Sequence, residues 1–326
     1  MFHLDATNLS ALEDYLDNQP GNNQKVITSA EKPGEGNMNY VLRIHTGMES
    51  FIIKQARPYV EKYPSIPAPV ERAKVEAAFY QTIQSDKILK SYTPSLLWTD
   101  NDNHITALED LGEANDYSDL YKLQRQLEIN EVKNLVEFIN RLHTIKNTHD
   151  PVFQNRKMRE LNHQHIFLFP FMEDNGFNLD TIQPGLQALA MTYKTDRALK
   201  DIIVGLGDTY LQDGDTLLHG DYYPGSWLNT VNGIKIIDPE FCFYGPAVFD
   251  LAVMSAHCML TQQDQRILDT ILSTYQGAGN FDKLLYDQFT GVEIMRRLIG
   301  LAQVPLVMKL EAKQALLKQA VHLLQN

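Results

Sequence analysis

The sequence predicts an α+β protein of two lobes, a small antiparallel-sheet lobe over residues 1–110 and a larger, mainly helical lobe over 111–326. Up to Gly112, short apolar runs alternate with Gly and charged turns about every ten residues, the pattern of hairpin-linked strands. Beyond Gly112 strand signals become scarce and amphipathic helical spacing dominates. A chain of 326 residues with 44% hydrophobic content can bury one large core or two ordinary ones, which suits that division.

Leu9, Leu12 and Leu16 recur at helical spacing and predict a helix over 5–18. Strands are expected over 26–30, 40–45 and 51–54. Pro67-Ala68-Pro69 then introduces a helix reaching 85, with Val75, Phe79 and Ile83 four residues apart. Two more apolar runs, 95–99 and 104–108, end at Glu109-Asp110-Leu111-Gly112, where the lobe boundary is placed. Helices are predicted over 131–145, 186–193, 264–275 and 310–324. Strands over 227–231 and 234–238 flank Asn232-Gly233, the preferred dipeptide of a two-residue hairpin turn. Pairing Val231 with Ile234 would set Trp227 opposite Asp238. No Ser/Gly linker, repeat or low-complexity segment interrupts the chain.

Composition excludes several classes. Lys and Arg number 29 against 41 Asp and Glu, a net charge of -12 without a basic block, which argues against nucleic acid and anionic membrane as partners. The segment Met1-Phe2-His3-Leu4-Asp5 lacks a basic start and an apolar run, and no apolar stretch reaches membrane-spanning length, so a cytoplasmic protein is expected. Cys242 and Cys258 are too few for a disulfide framework and read as buried free thiols.

The chemistry concentrates in Leu218-His219-Gly220-Asp221-Tyr222-Tyr223-Pro224-Gly225-Ser226, followed by Ile236-Ile237-Asp238-Pro239-Glu240. An acid on a loop can accept a hydroxyl proton, and a second acid downstream can hold a Mg²⁺ that bridges nucleotide phosphates. Asp221 is the candidate base. Ser226 occupies the place, five residues on, where such loops carry a metal-binding Asn. Ser226, Asp238 and Glu240, brought to one end of the predicted hairpin, offer the oxygen ligands hard Mg²⁺ prefers. Gly34 and Gly36 could let the backbone approach phosphate oxygens, although a plain hairpin turn reads the same way. Lys54 follows Phe51-Ile52-Ile53 on a strand expected to be buried, where a cation needs a partner and phosphate can supply it. Arg296 and Arg297 are adjacent cations in a helix otherwise fit for burial; two exposed arginines with stems lying along the surface is the competing reading. His143 reads as a hydrogen-bonded core histidine, His219 as a brace for the loop, and Asp250 as structural.

These motifs resemble the aminoglycoside phosphotransferase superfamily of small-molecule kinases, and within it the 5-methylthioribose kinases. The resemblance rests on Gly225-Ser226, Asp238-Pro239-Glu240-Phe241, Phe243-Tyr244-Gly245-Pro246 and Phe249-Asp250. It extends to Gly34-Glu35-Gly36-Asn37-Met38-Asn39, Lys54-Gln55-Ala56-Arg57-Pro58-Tyr59-Val60 and the stretch from Gly291 to Ala302. It implies a bilobal protein-kinase-like fold, ATP and Mg²⁺ as cofactors, a small-molecule acceptor and a homodimer. Gly34, Gly36, Asn37, Asn39 and Lys54 would then hold nucleotide phosphates, with the segment from Leu108 to Leu111, Glu109 included, reading the adenine edge. Glu76 would pair with Lys54, although the alternating charges of Glu71, Arg72, Lys74 and Glu76 could equally be an ordinary wet helix face. The Arg296 and Arg297 pair would hold sugar hydroxyls near Asp221.

Two stretches depart from the family pattern. The family loop reads Leu-His-Thr-Gly-Ser where this chain has Tyr222 to Ser226, and a Trp-Pro is replaced around Tyr63-Pro64-Ser65-Ile66-Pro67. Tyr222 and Tyr223 could pack on a sugar face or form an aromatic platform for a quaternary amine. The expected activity is therefore an ATP-dependent sugar kinase acting on methylthioribose or a related pentose. A choline- or aminoglycoside-type phosphotransferase is the alternative, and a nucleotide-binding pseudokinase would be expected to lack Lys54, Asp221 or Asp238, all of which are present.

Overall fold

Alternation in Tyr40–Thr46, buried at every second residue, marks a strand with one face on a core. It pairs antiparallel with Ser29–Glu31 on one side and Glu49–Gln55 on the other. Ile105–Glu109 and Leu96–Asp100 complete a five-stranded antiparallel sheet in the order 29–31, 40–46, 49–55, 105–109, 96–100. Leu12 and Leu16 of the helix Leu9–Leu16 bury their side chains in one cluster with Leu42, Ile44, Ile53, Ile105 and Ala107. These elements belong to the computed structural model, which describes residues 1–20, 26–34, 36–47, 49–123, 125–277 and 281–326. Glu35 of the 34–39 motif lies outside the described residues.

The chain divides into two units, Met1–Ala114 with Thr230–Cys242, and Asn115–Asn229 with Phe243–Asn326. The expected single cut at 110 therefore misses a return, because residues 230–242 belong with the sheet. Close packing explains it: the helix Arg72–Ile83 lies against the short turn Pro239–Phe241, and the Cys242 thiol lies 3.9 Å from the Val75 carbonyl. The predicted strands 227–231 and 234–238 are shorter, Trp227–Thr230 and Gly233–Ile236. In the turn between them the Thr230 hydroxyl accepts from the Asn232 N–H and donates to the Gly233 carbonyl. Gly233 takes φ +94, the region in which glycine meets no Cβ penalty.

The second unit is mainly helical, with Ile129–Leu142, Leu186–Lys194, Gln265–Thr274 and Leu310–Gln325 close to the predicted spans. Arg197–Leu211, Val248–Leu260 and Lys283–Ile299 are further helices. Asp282 caps the last of these by accepting from the Leu285 N–H. Gly291 lets it approach Leu310–Gln325 closely, since a Cβ there would fall 2.6 Å from the Ala320 carbonyl oxygen. A two-stranded ribbon pairs Leu218 with Phe243, so the loop that begins at His219 leaves from a fixed strand end.

Candidate active site

Lys54 sits in the middle of the sheet, opposite Val41 on one neighbour and Thr106 on the other, and is 6% exposed. Its ammonium bonds to Glu76 at 2.7 Å and to Asp238 at 2.6 Å. Burial alone would push this group down, yet the carboxylates of Asp238, Glu76 and Glu240 hold it well above its ordinary value. Glu76 comes from the first two turns of Arg72–Ile83. Asp238 adopts φ +63, an uncommon conformation for a non-glycine residue, and its side chain remains 45% exposed while Oδ1 meets Lys54.

Glu240 is placed differently from its neighbour. It is buried, 3.2 Å from the Arg72 guanidinium and accepting from the Asn39 amide at 3.0 Å. Arg72 is fully enclosed and also donates to Asn39 Oδ1 and to the carbonyls of Met38, Arg57 and Pro69. Burial raises the Glu240 carboxyl to about 7 in spite of Arg72. Asn39 thus has both ends of its amide within this buried group. Gly34, Gly36 and Asn37 lie on an exposed loop. Gly36 has a local reason to be glycine, because a Cβ would stand 2.7 Å from the Asn39 carbonyl oxygen. Glu109 is exposed at the end of its strand, its N–H donating to the Ser95 carbonyl and its carboxylate accepting from the Ser95 N–H; Leu111 follows, half-buried.

In the second unit the 219–226 loop is held from beneath. Asp250, buried in the first turn of Val248–Leu260, accepts from the backbone N–H of His219 at 2.7 Å and of Gly220 at 2.9 Å. His143 meets the same carboxylate at 3.3 Å and the Tyr275 hydroxyl at 2.8 Å. Gly220 takes φ +85, and the Ser226 hydroxyl donates back to the Asp221 carbonyl at 2.8 Å, which closes the loop on itself. Burial raises the Asp221 carboxyl above its usual range, against the pull of Arg297 and Arg296.

Arg296 and Arg297 are not surface residues: they are 4% and 7% exposed. Their Nη2 atoms lie 3.7 and 3.5 Å from Asp221 Oδ1. Tyr223 is half-buried beneath Arg297, whose guanidinium carbon is 4.9 Å from its ring centroid. Tyr222 is a core side chain, stacked on Phe138 with its hydroxyl donating to the Leu135 carbonyl, and presents no ring face to a ligand.

The structure therefore brings Lys54, Glu76 and Asp238 together in the first unit, with Glu240 and Asn39 beside them around Arg72. It brings Asp221, Arg296, Arg297 and Tyr223 together in the second. Of the expected metal group, Ser226 belongs to the second unit and Asp238 and Glu240 to the first. Among the described residues no cluster of three or more His, Cys, Asp or Glu is arranged to hold a metal. Sequence reasoning missed Arg72, whose place in a run of alternating charges reads as a wet helix face. It also missed Glu293, which stands three and four residues before the two arginines, the spacing of a helical ion pair.

The pattern of the phosphotransferase enzyme family matches residues 29–285. A methylthioribose kinase of Exiguobacterium sibiricum is 29% identical over 323 residues, covering 85% of this chain and 80% of that one. A methylthioribose kinase of Bacillus velezensis is 26% identical over 353 residues, covering 93% and 88%. Among solved structures, the choline kinase of Streptococcus pneumoniae superposes with TM-score 0.53 at 13% identity, covering 97% of this chain and 98% of that chain. A spectinomycin phosphotransferase solved with ADP and spectinomycin gives TM-score 0.54 at 16% identity, covering 99% and 98%. At these identities the structures show the fold, an α+β protein-kinase-like one.

Proposed function

Because the chain belongs to the phosphotransferase enzyme family, we propose that it transfers the γ-phosphate of ATP to a hydroxyl of a small neutral sugar, methylthioribose or a related pentose. The observation that carries this is the buried arginine pair beside Asp221. A carboxylate raised by burial is a proton acceptor for a hydroxyl, and two guanidiniums within 4 Å of it can orient a polyol through several N–H donors. The methylthioribose kinases that align along most of the chain support the same acceptor.

Lys54, fixed by Glu76, has the charge and placement to bind nucleotide phosphates. Asp238 fits a Mg²⁺ ligand best, since its half-exposed carboxylate meets Lys54 through one oxygen only in the ion pair, whereas Glu240 is enclosed by Arg72 and Asn39. Bound there, Mg²⁺ would neutralise charge on the phosphates. Asp221 accepts the acceptor's proton, Arg296 and Arg297 hold its other hydroxyls, and Ser226 keeps the loop closed. Positioning supplies most of the rate. No helix among the described residues is long and apolar enough to cross a membrane; a cytoplasmic location and a homodimer are part of the proposal.

A choline-type acceptor fits less well. The Tyr223 ring already lies against Arg297 and Tyr222 is in the core, so neither ring is left as a platform for a quaternary amine. The test is steady-state kinetics with methylthioribose. Arg297→Ala should raise the acceptor KM about ten- to a hundredfold, the loss of charge-assisted hydrogen bonds, with the KM for ATP unchanged. Absence of methylthioribose phosphorylation by the unaltered protein, or an unchanged acceptor KM in the variant, overturns the reading.

A further inference from the structure

The two arginines are themselves held by a buried carboxylate that no step above uses. Glu293 Oε1 accepts from Arg297 Nε at 2.8 Å and lies 3.0 Å from His257 Nε2, while Oε2 accepts from Arg296 Nε. On its far side His257 Nδ1 lies 2.6 Å from the Tyr121 hydroxyl. Three elements meet here: the helix Lys283–Ile299 carries Glu293 and both arginines, Val248–Leu260 carries His257, and the turn Tyr117–Lys122 carries Tyr121.

The donor directions follow from the chemistry. An ionised carboxylate only accepts, so His257 must carry its proton on Nε2, and the remaining Nδ1 accepts from Tyr121. Burial lowers His257 to about 4, so the ring is a neutral link. Burial works against the Glu293 charge, but Arg296, Arg297 and the His257 N–H hold it well below the usual carboxylate range. Glu293 thereby engages the Nε of both guanidiniums. Arg297 Nη1 is further tied to the Ala302 carbonyl at 3.3 Å. What reaches Asp221 is one Nη2 from each arginine, at 3.5 and 3.7 Å, an ion-pair separation rather than a bidentate fork.

We infer that Glu293, fixed by the His257 and Tyr121 relay, is a positioning residue that keeps Arg296 and Arg297 from closing onto Asp221 and so leaves their Nη groups for acceptor hydroxyls. Without it, two buried cations would turn their donors to the nearest remaining carboxylate, which is the proton acceptor itself. The same residue sets acceptor class: two guanidiniums beside two carboxylates balance, which suits an uncharged polyol better than an anion. This inference rests on the acceptor role of the arginines proposed above.

The experiment compares Glu293→Gln, Tyr121→Phe and Arg297→Ala, singly and with each of the first two combined with the third, using methylthioribose and ATP. Glu293→Gln should raise the acceptor KM at least about tenfold and Tyr121→Phe about two- to tenfold, each with the KM for ATP unchanged. In the Arg297→Ala background either substitution should add less than it does alone, because its effect passes through that side chain. Thermal unfolding checks that each variant is folded; Tyr121→Phe, which removes one oxygen, decides the matter if Glu293→Gln does not fold. An unchanged acceptor KM in folded Tyr121→Phe and Glu293→Gln, or effects that simply multiply with Arg297→Ala, overturns the inference while leaving the acceptor role of the arginines intact. An unchanged acceptor KM in Arg297→Ala alone removes that role, and the inference with it.

Discussion

The charged groups of the two units are composed differently. Around Lys54, three carboxylates, Glu76, Asp238 and Glu240, meet two cations, Lys54 and Arg72. Around Asp221, two carboxylates meet two guanidiniums. In each group a single carboxylate is reachable, Asp238 in the first and Asp221 in the second, and the others are enclosed. An acidic surplus with one open oxygen suits a metal-bearing donor; a balanced group with a raised carboxylate suits a neutral acceptor and proton removal. The two tasks of phosphoryl transfer are thus separable by side chain, and substitutions in the two groups should separate kinetically.

The sharpest way to break that separation is at the two reachable acids. Asp221→Asn should lower kcat by about 10² to 10⁴ while equilibrium binding of ATP stays near normal. Asp238→Ala should instead abolish Mg²⁺-dependent ATP binding, read by calorimetry with and without the metal. Near-normal turnover in Asp221→Asn, or ATP binding retained in Asp238→Ala, would merge the two groups into one. A smaller effect sharpens the contrast within the first group, between open and enclosed acids. Arg72→Ala leaves Glu240 buried without its cation and should destabilise the protein by about 3 to 5 kcal/mol, measured by denaturant titration.

The smallest expected effect concerns pH. Asp221 must be ionised to accept a proton, and burial raises its carboxyl, so kcat/KM should fall as pH drops through that raised value. Arg297 opposes the rise, and Arg297→Ala should therefore move the acid limb of the pH profile to higher pH. A limb that stays in place, or moves down, would detach the arginine from the base.

The alternating strands around Lys54 and the long amphipathic helices were legible because burial of one face leaves a period in the sequence, as in Tyr40–Thr46 and Ile129–Leu142. Val248–Leu260 and the middle of Lys283–Ile299 carry no such period, being buried on nearly every side, Asp250, His257, Glu293 and both arginines included. From sequence Arg296 and Arg297 admit an exposed reading and Glu293 and His257 give no signal; their partners across the fold place all four in the interior. Tyr222 was misplaced for a related reason: adjacent tyrosines on a loop look alike, but one hydroxyl meets the Leu135 carbonyl in the core and the other ring meets Arg297. Glu240 shows the same limit, since nothing local in Asp238-Pro239-Glu240 tells which acid will face Arg72.

The return of Thr230–Cys242 to the sheet unit has a consequence for biosynthesis. The first unit is not encoded by one continuous stretch. A nascent chain that has emerged only as far as Ala114 contains all five sheet strands and both Lys54 and Glu76, but neither Asp238 nor Glu240. Lys54 then lacks one of its two carboxylates and Arg72 its acidic partner. The ribosome must deliver the whole of Asn115–Asn229 before those charges are matched, so the sheet unit waits for the helical one to be synthesised. A gene cut at the apparent boundary near 110 would yield a first fragment that carries the sheet without the acid that completes its charged centre.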